Sequence, residues 1–120
     1  MTPAPFAYEG LERTFHERGR LAICTCLIAG PDGMRIKALQ EACGLTDGNL
    51  HRHVQTLAET GIVELARTRG PGRPATVVRI TSDGRERFLA YIDELAAVVR
   101  AVQARDAAPA APGSLRLAAS

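Results

Sequence analysis

A mostly α domain carrying one small β-hairpin is the fold class this sequence predicts, and three observations carry it. Two short apolar-periodic segments, "RIKALQEAC" and "LTDGNLHRHVQTLAET", are separated by little more than a glycine. Two alternating segments, "IVELART" and "ATVVRIT", flank "RGPGRP", too rich in Gly and Pro for anything but a loop. A long amphipathic segment then runs from Ser82 to Arg105. Helix, short turn, helix, strand, basic loop, strand is the order of a winged helix-turn-helix.

Each element has its own signal. "HERGRLAICTCLIA", from His16, reads as a helix ended by the turn cluster "GPDG". Its apolar residues lie all round, with Leu21, Cys24 and Ile28 on one side and Ile23 and Leu27 on another, so it is expected to be covered from two directions. The second helix shows Ile36, Leu39 and Cys43 at helical spacing, with Gly44 as its stop. Thr46 is a good N-cap for the third, and Asp47 suits its positive end. Gly61 followed by Ile62 fits a left-handed C-terminal cap. Ser82 or Thr81 caps the last helix, whose Phe88, Ile92, Leu95, Val99 and Val102 recur at spacings of four and three. The expected organisation is an N-terminal arm over 1–15 that can join the dimer interface, a DNA-binding unit over 16–81, a dimerisation helix over 82–106 and a disordered tail over 107–120.

Bulk properties exclude several classes. The 120 residues fit one domain, and 46% hydrophobic with 23% charged residues is ordinary globular usage. No apolar run reaches the roughly 18 residues of a membrane helix, and "MTPAPFAYEGLERTF" lacks a secretory signal's basic and apolar regions. A cytoplasmic, nucleoid-associated protein is the expectation. Its three cysteines, Cys24, Cys26 and Cys43, read as small buried hydrophobes in a reducing compartment. The net charge of +2 says little, but its distribution says more. From Ala66 to Ile80 the chain carries Arg67, Arg69, Arg73 and Arg79 and no acid, whereas acids gather at Glu9, Glu12, Glu17, Asp93 and Glu94. Lys37 is the only lysine, and arginine suits phosphate and guanine edges better than lysine does.

The third helix carries the functional expectation. Stepped at about 100° per residue, Leu50, Val54 and Leu57 share a core-facing side. Gly48, Arg52, Gln55 and Glu59 fall opposite, with Asn49 and Thr56 on one flank, His51 on the other, and His53 near the core edge. A face of Asn, His, Arg and Gln offers the donors and acceptors that base edges in a major groove require. Gly48, beside the cap residue Thr46, leaves room for a phosphate at the helix start. A solvated polar face is the plain alternative, and the basic hairpin argues against it. In "GPGRP", Arg73 stands on an extended tip without bulky neighbours and is shaped to enter a narrow minor groove. Arg67 and Arg69 sit lower on the hairpin and read as phosphate contacts.

The stretch "LTDGNLHRHVQTLAETGIVEL", with "GRPATVVRITSDGRERF" after it, resembles the compact winged-helix transcriptional regulators of the MarR/ArsR-like group. The similarity is greatest to the short subgroup whose recognition helix begins "LTDGNLSRH", and it covers His16 to Leu95. The resemblance implies a homodimer on a pseudo-palindromic double-stranded operator, with the third helix in the major groove and the wing over the adjacent minor groove. Repression is the implied mode. The chain departs from the subgroup at His51, commonly a serine, which puts a titratable ring on the reading face.

Dimerisation has support of its own. The last helix, about 22 residues or 33 Å long, exceeds what so small a core needs. A second copy is the simplest cover for its apolar stripe and for the outer face of the first helix. Three rival readings have less behind them. Cys24 and Cys26 lie two apart on a helix and so point about 160° from each other, a poor arrangement for one metal ion. "HRH" has no metal-ligand spacing either, so neither a metal nor any other cofactor is expected, although a metal- or thiol-responsive regulator using Cys24, Cys26 and Cys43 is one alternative. Catalysis is not expected, because no phosphate loop or nucleophile elbow is present and the histidines have no nucleophile to serve. A winged helix used for protein contact alone is the other alternative. No effector is indicated; any pocket for one belongs between the dimer helices and the DNA-binding core.

Overall fold

Residues 4–68 and 71–108 are described by a computed structural model of the chain. After a 3-10 turn at Arg13–Phe15 come α1 (Arg18–Leu27), β1 (Met34–Arg35), α2 (Ile36–Cys43), α3 (Asp47–Glu59), β2 (Val63–Arg67), β3 (Thr76–Ile80) and α4 (Ser82–Ala107). The winged helix-turn-helix is present, with two adjustments. The sheet has three antiparallel strands in the order β1-β3-β2, not two. Met34 and Arg35 pair with Val78 and Val77, and so the chain entering α2 is tied to the hairpin. The first helix is also shorter at both ends than His16–Ala29. Glu17 is extended and its carboxylate accepts the Arg20 N–H at 3.0 Å, so capping begins the helix two residues late.

Local chemistry explains the turns. Gly44 and Gly61 both adopt positive φ, 62° and 79°, where a side chain would be strained. Gly44 ends α2, and Thr46 caps α3 by accepting the Asn49 N–H at 3.2 Å. Of the two candidate caps for α4, Thr81 does the work: its hydroxyl accepts the Gly84 N–H at 2.8 Å and donates to the Gly61 carbonyl at 2.7 Å. One threonine therefore starts α4 and fixes it to the end of α3.

The core gathers one face from each element. Phe15, Ile23, Cys24, Leu27, Leu39, Leu50, Leu57, Ile62 and Val78 are essentially sealed from solvent. Leu50, Val54 and Leu57 are the buried face of α3, as their spacing predicts. Phe88 belongs here too, which corrects its place in the α4 stripe. Its ring lies 5.3 Å from Phe15 and 6.5 Å from Tyr91, covered by the 3-10 turn. The arm over 1–15 contributes Phe15 to the core, and Glu12 holds Arg87 of α4 through bonds of 2.6 and 2.9 Å. Arg87 also donates to Asp83 and to the Thr60 carbonyl, closing α3, α4 and the N-terminal segment into one junction. Its hydrogen bond holds the Glu12 carboxyl below its ordinary range, despite partial burial.

The cysteines divide. Cys24 is a buried hydrophobe as expected, but Cys26 and Cys43 are only half-buried and face each other across α1 and α2. The tail expected over 107–120 lies outside the described residues from 109 onward; α4 itself continues through Ala107. No described helix is long and apolar enough to cross a membrane.

Candidate nucleic-acid interface

The turn at Gly44 and the cap at Thr46 set α3 so that one side faces the core and the other faces out. Asn49, His51, Arg52 and Gln55 are all exposed, and Thr56 is half-buried. Their side chains are held rather than loose. Arg52 Nη2 donates to Asn49 Oδ1 at 3.3 Å, Gln55 Nε2 to Glu59 Oε1 at 3.1 Å, and the Thr56 hydroxyl to the Arg52 carbonyl at 3.1 Å. His51 Nδ1 lies 2.8 Å from the Asp47 carbonyl. A carbonyl only accepts, so Nδ1 carries the proton and donates to it. A Cβ built at Gly48 would meet nothing within 4 Å. Nothing in the described chain needs the glycine there, so its clearance is available to a partner.

His53 sits deeper than the core edge assigned to it. Its side chain is 6% exposed, with Nε2 3.3 Å from the Glu17 carboxylate. The slot exists because residue 19 is glycine: a Cβ there would come within 2.7 Å of the imidazole. Burial lowers the His53 pKa, against the opposing pull of Glu17, and the charges of Arg52 and Arg20 add to the lowering. A neutral ring thus fastens the reading helix to the start of α1.

The hairpin places its arginines unequally. Arg67 pairs opposite Thr76 at the end of the ladder and is exposed. The neck continues one step further, with the Thr68 N–H donating to the Ala75 carbonyl at 2.8 Å and the Ala75 N–H to the Thr68 hydroxyl at 2.9 Å. Arg73 is exposed near the tip, and Arg69 lies outside the described residues. Arg79 is not a free cation of the wing: Glu64, opposite it on β2, is 3.3 Å from its guanidinium. The stretch that reads as acid-free in sequence is therefore offset across the ladder.

Two cations missing from the sequence-based set join the wing. Arg35 and Lys37, both exposed, line a cleft of about 450 Å³ together with Ile36, Arg73, Pro74, Ala75 and Thr76. The signal that could have found them is β1, whose Arg35–Val77 pairing sets the start of α2 against the hairpin base. A second cleft, about 370 Å³, separates Ile28–Pro31 from Ile80–Ser82 and Arg85, the junction where an effector pocket was expected. Arg85 is already committed there to the Ile28 carbonyl at 2.9 Å.

The remaining exposed feature is apolar. On α4, Leu89, Ile92, Leu95, Val99 and Val102 are 36–59% exposed, forming the expected stripe with Leu89 added and Phe88 withdrawn. Among the described residues no group of three or more His, Cys, Asp or Glu is placed to hold a metal ion.

A helix-turn-helix with an exposed polar second helix and a basic β-wing defines a winged-helix DNA-binding protein of the transcriptional-regulator class. The chain belongs to the winged helix DNA-binding domain family, whose model matches residues 20–99. It is 39% identical over 69 residues to an uncharacterized protein of Methanocaldococcus jannaschii, covering 58% of this chain and 75% of that one. Among solved structures it resembles a transcriptional regulator homologue from Pyrococcus horikoshii OT3, with TM-score 0.70 and 28% identity over 76% of this chain and 89% of the other. The fold is also that of S. aureus MepR, solved as a DNA complex, with TM-score 0.63 and 15% identity over 83% and 81% of the two chains.

Proposed function

We propose that the protein works as a homodimer that represses transcription from a pseudo-palindromic operator on the nucleoid, each copy laying α3 in a major groove and its wing over the neighbouring minor groove. The observation that carries this reading is the α3 face, where Asn49, His51, Arg52 and Gln55 are exposed and pre-oriented by bonds within the helix. Arg52 suits the O6 and N7 atoms of guanine, and Gln55 or Asn49 the N6 and N7 atoms of adenine. Thr46 and Gly48 belong at the phosphate beside the helix start, and Thr56 at the far flank. Arg67 and Arg69 serve as phosphate contacts, joined by Arg35 and Lys37, while Arg73 enters the minor groove. The DNA complex of MepR supports the same use of this fold.

Two copies meet through Ile92, Leu95, Val99 and Val102, extended by Leu89, with Phe88 supporting that face from inside the core. The N-terminal segment belongs to the same unit, because Glu12 is bonded to Arg87 and Arg105 lies 5.4 Å over the Phe6 ring. Selection from a random double-stranded library is the test. Enriched sequences should contain two inverted half-sites about one helical turn apart. Enrichment of one unpaired half-site would contradict the dimer, and no enrichment at all would contradict sequence-specific binding.

A further inference from the structure

Cys26 and Cys43 meet across the first two helices, apart from both the reading face and the α4 stripe. Their Sγ atoms are 3.8 Å apart, joining the last turn of α1 to the last residue of α2. We infer that Cys26 and Cys43 are a dithiol that a peroxide converts into an intramolecular disulfide across the first two helices of the helix-turn-helix. A disulfide needs its sulfurs about 2.05 Å apart, so the gap to close is under about 2 Å, within the reach of side-chain rotation. Access is provided as well. Cys26 lines a cleft of about 330 Å³ with Leu27, Ala29, Gly30, Asp32, Gly33 and Met34, roomy enough for a peroxide. Cys24 supplies an internal contrast, because it is sealed in the core whereas the pair is only half-buried.

The chemistry is balanced by the peroxide alone. The Cys26 sulfur attacks one peroxide oxygen, the O–O bond breaks, water leaves, and Cys26 becomes a sulfenic acid. The Cys43 sulfur then attacks Cys26 Sγ, the S–O bond breaks, and the departing hydroxyl leaves as water with the Cys43 proton. Two thiols are oxidised by two electrons, and one peroxide is reduced to two waters. Burial, followed by the hydrogen bond and charge of Cys26, pushes the Cys43 thiol up to about 12. Cys26, not Cys43, lines the cleft that admits the peroxide, which assigns the first attack to Cys26 and the resolving role to Cys43.

Placement gives the bond its consequence. Cys43 precedes Gly44, the left-handed cap that turns the chain toward α3. A covalent tie here fixes the end of α2, and so the angle at which the reading helix leaves it. The bond forms within one chain and without DNA.

The full chain, reduced and then treated with an equivalent of hydrogen peroxide, should drop from three titratable thiols to one. Its mass should fall by two hydrogens, it should run as a single chain on a non-reducing gel, and dithiothreitol should reverse the change. The oxidised form should melt several degrees higher, at least about 4 °C for a domain of this size, because the cross-link limits the unfolded chain. Cys26→Ser and Cys43→Ser should each abolish the mass change, whereas Cys24→Ser should preserve it. Three persisting thiols, a cross-link between chains, a lower melting point on oxidation, or dependence on Cys24 would each overturn the inference.

Discussion

Arg52 and His53 are neighbours in sequence with opposite fates. Arg52 is exposed and aimed by Asn49, whereas His53 is buried in the slot that Gly19 leaves. Arg52→Ala should cost roughly 1–3 kcal/mol on the selected operator and relax preference at one base pair. Titration against operator and scrambled duplex checks this, and an equal loss on both would make Arg52 a phosphate contact. His53 predicts an acid limit on stability. Burial lowers its folded pKa, so below the ordinary value the unfolded chain binds more protons than the folded one. Its contribution is present above the ordinary value of about 6.5 and is lost as pH falls from there through the lowered folded value. Melting points from about pH 7.5 to 5.5 should decline in the wild type and decline less in His53→Asn, and parallel curves would contradict the assignment. The polar face of α3 was legible because helical spacing alone fixes it. The burial of His53 was not, since the opening that admits it is made by a residue in another helix.

Among the elements, the wing is where sequence and structure differ most. Its two long strands form where the sequence places them, in one continuous antiparallel register, although burial does not alternate along either. The third strand is two residues long and has no alternation to read, so only pairing with Val77 and Val78 reveals it. That pairing is what brings Arg35 and Lys37 beside Arg73. Charge counted along the chain also misled, because Glu64 lies outside the arginine-rich stretch in sequence yet directly opposite Arg79 in the ladder. Arg73 is exposed and followed by Pro74, which stiffens the return into β3 and lowers the cost of placing the guanidinium. If Arg73 enters a minor groove, Arg73→Ala should lose most affinity on operators with A·T-rich flanks, where that groove is narrow. Paired operators differing only in their flanks check this. Equal losses on both would make the tip an ordinary phosphate clamp.

For the whole molecule, the exposed row on α4 and the reading face of α3 make one claim together. Leu95→Glu sets a charge in the middle of that row and should give monomers, or insoluble protein if the exposed face then aggregates. Light scattering decides, and an unchanged soluble dimer would place the interface elsewhere. The stripe was legible from spacing, but its inner edge was not. Phe88 continues the pattern in sequence, yet the 3-10 turn covers it with Phe15, a contact between residues far apart in the chain. In the proposed complex, α3 and the wing grip DNA through its phosphates as well as its bases. The most direct measurement is the affinity for the selected operator as a function of salt, for the wild type and for Arg67→Ala. Log affinity should fall linearly with log salt, with a slope about one unit shallower for each phosphate contact removed. An affinity independent of salt, or a slope that Arg67→Ala leaves unchanged, would contradict it.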